Sequence, residues 1–312
     1  MALEHLGHRA QCRRLPVVAW PPVSLPDQVR EHCAELAGRA RWVSIDVDRL
    51  GSVEPGPEPA LDPQTHFLEG SREAVCAYLL TLDAINFGSG WFPTLRKRPG
   101  CSGYFTVAWS LADRFRSAGP WSASELRLLS AGDVAEVLGQ EPAHDLMELY
   151  GEALRDLGRF LGDREPVDVV DGAGDSAVAL AEELARGMPF FEDTGFYKRA
   201  QITPNDLSLA GVADFSDLDD LTIFADNLVP HVLRVDGVLR YEPALGVHID
   251  SGELLPPGGQ EQEIRACALH ACELISAELG VPPRTLDAWL WNRGQEHRYK
   301  ALPRHRTRTT FY

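Results

Sequence analysis

Positive charge is scarce in this sequence. Its 30 Lys and Arg stand against 46 Asp and Glu, a net charge of −16 over 312 residues. Proteins that grip long nucleic acids draw much of their affinity from a basic face that neutralises phosphates. The deficit argues against a polynucleotide as the main partner, yet leaves room for one phosphate in a local pocket. Long apolar runs are also missing. The longest uncharged apolar stretch, Pro99 to Ala112, has 14 residues, short of the roughly 20 that span a bilayer, so no membrane partner is expected. No apolar run follows the charged opening MALEHLGHRAQCRRLP. No secretory signal is therefore expected, and the cytoplasm is the expected compartment. The six cysteines (Cys12, Cys33, Cys76, Cys101, Cys267, Cys272) form no CxxC pair, which suits free thiols in a reducing compartment. Phosphate-binding loops of the G-x-x-x-x-G-K-[ST] type, H-E-x-x-H zinc helices and G-x-S-x-G turns are absent as well. Cysteines and histidines lack metal-ligand spacing, so no metal or other cofactor is expected.

What is present suits a folded, helical chain. Hydrophobic residues make up 44% and charged residues 24%, which rules out general disorder. His144 to Gly162 places Leu146, Leu149, Tyr150, Ala153, Leu154, Leu157, Phe160 and Leu161 on one helical stripe. Ser71 to Phe87, Ser176 to Met188, Gln260 to Leu279 and Arg284 to Trp291 read the same way. Gly280 and Pro282 form the stop of the fourth. Turn-rich breaks lie at Val53 to Gln64, Asp171 to Asp175 and Leu254 to Gly259. Strand signals are confined to Trp42 to Asp48 and a short pairing within Leu239 to Asp250. The expected fold is mainly α, with eight to ten helices in one compact body and at most a small β element. No composition break divides it, so residues 1–312 are expected to form a single domain.

Four segments invite chemistry. Leu218 to Arg234 (LDDLTIFADNLVPHVLR) carries apolar residues at helical spacing, with Asp226 off the stripe. Pro230 cannot donate to the carbonyl of Asp226, so a helix there should break beside that carboxylate. Asp226 is then either a surface acid near a kink or a site residue. Gly195 to Gln201 (GFYKRAQ) sets two aromatics beside Lys198 and Arg199, which fits a nucleotide or simply a helix start. Arg293 to Arg308 holds six Lys or Arg against Glu296 alone. That run either binds an anion or pins the tail to acidic surface. In LDAWLWN, Asp287 and Trp291 share a helix face. The triplet Gly88-Ser89-Gly90 reads as a turn.

Six strings in order resemble the queuosine 5′-phosphate N-glycosylase/hydrolase family of queuosine salvage. They are LDAINF (82–87), FYKRAQ (196–201), FADNLVPHVLR (224–234), EIR (263–265), LDAWLW (286–291) and HRTRT (305–309). They cover most of the chain from about residue 60 onward, and residues 1–40 form a weakly matched extension. The resemblance implies a helical fold related to helix-hairpin-helix DNA glycosylases. It implies hydrolysis of queuosine 5′-monophosphate to queuine and ribose 5-phosphate, supplying queuine for tRNA modification. The partners are then that small nucleotide and queuine, not long nucleic acid. The family's catalytic carboxylate falls on Asp226, with Phe224 lining the base pocket, Asp287 touching the base, and His66 a further carry-over. Two positions depart from the pattern: Asn227 stands where an aromatic follows F-A-D, and Asn292 where an acid follows L-W. Trp291 would add an apolar wall. Lys198, with Arg199 or the HRTRT run, would hold the 5′-phosphate. Rival readings are a glycosylase acting on polynucleotide and a non-catalytic binder of the base or nucleotide.

Overall fold

The computed structural model describes residues 23–312. Cys12 and most of the weakly matched extension lie outside the described residues. The chain enters through α1 (Leu25–Gly38), started by a Ser24 side chain that accepts from Asp27 N, and continues into β1 (Val43–Ile45). Then come α2 (Arg72–Ala84), α3 (Gly103–Ala118), α4 (Ala123–Leu126), α5 (Ala131–Leu138), α6 (Asp145–Leu161), α7 (Pro166–Gly172) and α8 (Ala177–Gly187). The last third holds α9 (Lys198–Leu209), α10 (Val229–Val235), β2 (Leu239–Tyr241), α11 (Pro243–Asp250), α12 (Gly259–Leu279), α13 (Pro283–Arg293) and α14 (His297–Lys300). The two strands pair antiparallel, Val43 opposite Tyr241 and Ile45 opposite Leu239. The mainly α expectation holds, and so does the small β element.

Two central helices organise the packing. Every residue of α2 from Val75 to Ala84 is buried, the signature of a helix wrapped on all sides. It packs against α3, α6, α7 and α9. The other, α12, is covered by α1, α10, α13 and β1. The described part of the N-terminal extension is thus built into the body, with Val29 and Cys33 fully buried. Five cysteines, Cys33, Cys76, Cys101, Cys267 and Cys272, are unpaired thiols. No described helix is long and apolar enough to cross a membrane.

Two expectations need correction. Fourteen α-helices among the described residues exceed the eight to ten read from periodicity. Single-turn helices such as α4 and α14 carry no periodic signal, and Pro204 inside α9 hides a helix of 12 residues. The larger correction concerns Leu218 to Arg234. Only a 3₁₀ turn (Leu218–Asp220) precedes Asp226, and Leu221 to Asn227 runs without helix. Pro230 lies in the first turn of α10, where its missing N–H is no loss. The proline marks the start of a helix, not a break within one. The apolar spacing misled because residues 221–225 are buried on every side, so periodicity carried no facing information.

Candidate active site

Segment 221–228 owes its shape to side chains sent from elsewhere. A buried backbone without a helix or ladder must find partners. Thr222 N donates to Gln201 Oε1 at 3.0 Å, and Phe224 N donates to Asp287 Oδ1 at 2.9 Å. Arg265 Nε donates to Ala225 O at 2.9 Å. Asn227 Nδ2 donates to His305 O at 3.0 Å. One strand of chain is therefore held by α9, α12, α13 and the C-terminal tail. Asp226 closes the segment: its Oδ1 accepts from Leu228 N at 2.7 Å and Val229 N at 3.2 Å. That fixes the carboxylate at the start of α10 on the cavity wall, and Oδ2 has no hydrogen-bond partner among the described residues.

The cavity holds about 710 Å³. Lys198, Ile202, Asp206 and Leu209 of α9 line one side, at spacings of three and four. Asp287, Ala288, Trp291 and Asn292 of α13 line another in the same pattern. All eight residues singled out from the sequence (Asp226, Phe224, Asp287, Asn227, Asn292, Trp291, His66 and Lys198) meet on this one cavity. They do not all serve alike. The Asn227 amide is spent on the tail, and Asn292 is exposed at the rim. The Trp291 indole stands edge-on to Phe105 and Tyr104, with ring centroids 5.5 and 5.9 Å away.

Electrostatics singles out Asp287. Asp287 is 7% exposed, and burial together with the nearby Asp226 charge pushes it up to about 8. It is therefore mostly protonated at neutral pH. His66 is held neutral by burial, which lowers it. Its Nδ1 lies 3.0 Å from Asp62 O, a carbonyl that only accepts, so Nδ1 carries the proton. Nε2 then accepts from Tyr104 Oη at 3.0 Å. The ring stiffens the aromatic wall.

The cations divide by what they touch. Arg199 is away from the cavity: it donates to Ala84 O and Thr310 O and stacks between Phe87 and Phe191. It builds the fold and cannot reach a ligand. Lys198 Nζ donates to Asn86 O at 3.2 Å and sits by Asp226 and Asp83. In the basic run, Arg293 and Arg298 pair with Asp236, and Arg308 pairs with Asp145. Those three pin the tail. Arg304 has no hydrogen-bond or ion-pair partner among the described residues, lines the cavity and faces Asp226. The pinning reading of the run thus holds for Arg293, Arg298 and Arg308. The Gly88-Ser89-Gly90 triplet is the turn it was read as. It seats the tail: Gly88 N donates to Tyr312 O at 2.9 Å, and a Cβ on Gly90 would come within 2.4 Å of Thr307 O.

Sequence reasoning missed Asp206, Asp83 and Tyr104. The spacing Lys198, Ile202, Asp206 could have revealed the first, had Pro204 not argued against a helix. Residues 65–312 match the family described as queuosine salvage protein. The queuosine 5′-phosphate N-glycosylase/hydrolase of Sphaerobacter thermophilus is 36% identical over 305 residues, covering 88% of this chain and 94% of that protein. The proteins of the same name from Mus musculus and Bos taurus are each 28% identical, over 78% and 91% of this chain and 83% and 98% of their own.

Proposed function

The chain belongs to the queuosine salvage protein family, and from that premise we propose that it hydrolyses the N-glycosidic bond of queuosine 5′-phosphate. Queuine and ribose 5-phosphate leave. The observation that carries the reading is the pair of carboxyls, Asp226 and Asp287, on one cavity, where burial and the nearby Asp226 charge raise Asp287 to about 8. A carboxyl raised in this way beside a second one suits an acid next to a charge-stabilising partner.

Breaking the bond builds positive charge on the sugar, as in glycoside hydrolysis. Asp226, held by two backbone N–H groups, presents Oδ2 to that charge and needs no reorganisation to do so. The departing base gains electron density and needs a proton or a hydrogen bond. Queuine is a 7-deazapurine and offers no N7, so another edge of the base must receive it. Protonated Asp287 is the donor available on the cavity wall, with Oδ1 already occupied by Phe224 N. Water completes the hydrolysis at C1′. Phe224 and Trp291 supply apolar walls for the base. Lys198 and Arg304 approach Asp226 from α9 and from the tail. A ribose set over Asp226 therefore places its 5′-phosphate between two cations. Nothing in this scheme needs a long phosphate backbone, in keeping with the net charge of −16.

The direct test is chromatography for free queuine after incubation with queuosine 5′-phosphate. Stoichiometric queuine and ribose 5-phosphate are expected; bound but uncleaved nucleotide would show a carrier instead.

A further inference from the structure

Four acids, Asp83, Asp206, Asp226 and Asp287, share one ammonium, that of Lys198. The hydrolytic scheme uses Asp226 and Asp287, and Asp83 is sealed away from the cavity. Asp206 remains. It is 4% exposed and lines the cavity from α9. Its Oδ1 accepts from Asn205 Nδ2 at 3.1 Å, and its Oδ2 has no partner among the described residues. Beside it Asn205, 6% exposed and also on the cavity wall, leaves Oδ1 without a partner. Two neighbouring acceptors of the cavity wall, Asp206 Oδ2 and Asn205 Oδ1, thus lack donors among the described residues. Burial first, and then the Asp83 charge, hold the Asp206 carboxyl well above the usual carboxylate range. A buried acid without its own counter-charge regains the ionised form when a cation enters.

Position says which cation. Asp206 acts on Tyr104 and is itself acted on by Asp287. It therefore shares the cavity with two residues set against the base, Tyr104 and Asp287. The base of queuosine differs from 7-deazaguanine by a side chain joined through a secondary amine, which is protonated at neutral pH. A secondary ammonium has two N–H donors, matching the two unpartnered acceptors. We propose that Asp206, with Asn205 beside it, is the specificity site for the cationic amine of the queuosine side chain. The cavity is then ordered as the substrate is: acid at the base end, Asp226 at the scissile bond, free guanidinium at the phosphate end. This inference rests on the hydrolase reading above.

The test compares queuosine 5′-phosphate with 7-deazaguanosine 5′-phosphate, which has the same bicyclic ring, sugar and phosphate but no amine. The wild-type protein should favour the first in kcat/KM by at least about 10-fold, as expected for a charge-assisted hydrogen bond. Asp206→Asn should lose roughly 10- to 100-fold on queuosine 5′-phosphate and change little on the amine-free nucleotide. Equal losses on both, or an unchanged preference, overturn the assignment. Calorimetric binding of queuine and 7-deazaguanine to the wild-type protein covers a variant that does not fold. Tighter queuine supports the site; equal affinity overturns it. Base release from neither nucleotide by the wild-type protein would sink the hydrolase reading itself. Release from both without preference sinks only the role of Asp206.

Discussion

Helix α6 and segment 221–228 are both buried, and they solve the backbone problem in opposite ways. The helix closes its own hydrogen bonds and needs outside help only at its ends. His144 Nδ1 accepts from Leu146 N at 3.2 Å, and Gly162 ends the helix. Its neighbours fill space with apolar side chains such as Leu154 and Leu157. The segment closes no such bonds. Gln201, Arg265, Asp287 and Asn227 are each spent on holding it or joining it to the tail. The lesson is that the six strings of the sequence are one object in space. Gln201, Arg265 and Asp287 each send a side chain to the backbone that aims Asp226, the tail receives Asn227 through His305 O, and Asp287 also lines the cavity.

The sharpest break of this comparison is Asp226→Asn. Asparagine keeps an oxygen for Leu228 N and Val229 N, so the fold and melting temperature should stay near those of the parent. Turnover should fall by at least about 10³-fold, as loss of a charge matched to the transition state implies. A variant near parental turnover would remove Asp226 from the chemistry. Next come two substitutions of similar cost and different consequence. Arg265→Met leaves Asp193 buried and Ala225 O without its donor; breaking a buried pair in this way costs about 3–5 kcal/mol. Leu154→Ala in α6 costs about 2–5 kcal/mol as a cavity. Measured by urea unfolding and by kcat well below the melting point, the first should lower both quantities and the second stability alone. Unchanged kcat in Arg265→Met would show that the segment holds Asp226 without its anchors.

A smaller effect, about 10-fold per pH unit, should follow from Asp287. If its proton reaches the leaving base, kcat falls as pH rises through about 8. Stability moves too. The folded form keeps a proton that the unfolded chain gives up near its ordinary value of 3.8. Between about 4 and 8 the native state therefore binds more protons, and this group's contribution lowers stability as pH rises. Asp287→Asn should flatten both trends. An alkaline limb that survives in that variant would assign the proton to another group.

The same contrast explains what the sequence made legible. The stripe from Leu146 to Leu161, with His144 and Gly162 at its ends, predicts α6 almost to the residue, because an exposed face and a buried face write a period into the chain. The residues lining the site were found through strings, not through geometry. Nothing local in LTIFADN tells that its backbone is satisfied by residues 21 to 63 positions away. Arg199 shows the cost of reading composition alone. Placed next to Lys198, it looks like a second phosphate ligand, yet adjacent residues on a helix point about 100° apart. One reaches the cavity and the other the aromatic core.

The smallest effect tests the self-sufficiency of α6 directly. His144→Ala removes the cap on Leu146 N and the bond between Nε2 and Thr94 Oγ1 at 2.9 Å. An ordinary cap is worth about 1 kcal/mol. Since α6 satisfies the rest of its own backbone, the loss in urea unfolding should stay near that figure, with kcat and KM unchanged. Tyr150 supplies one route by which a larger loss could reach the site, beside the Asp145–Arg308 pair: its hydroxyl donates to Phe87 O, next to the turn that seats the tail. That bond sits a turn and a half further along the helix than the cap, where the backbone ladder is already closed. A fall in kcat would mean that the end of α6 is transmitted to the tail, through Tyr150 or through the Asp145–Arg308 pair, and that this helix leans on its surroundings as the Asp226 segment does.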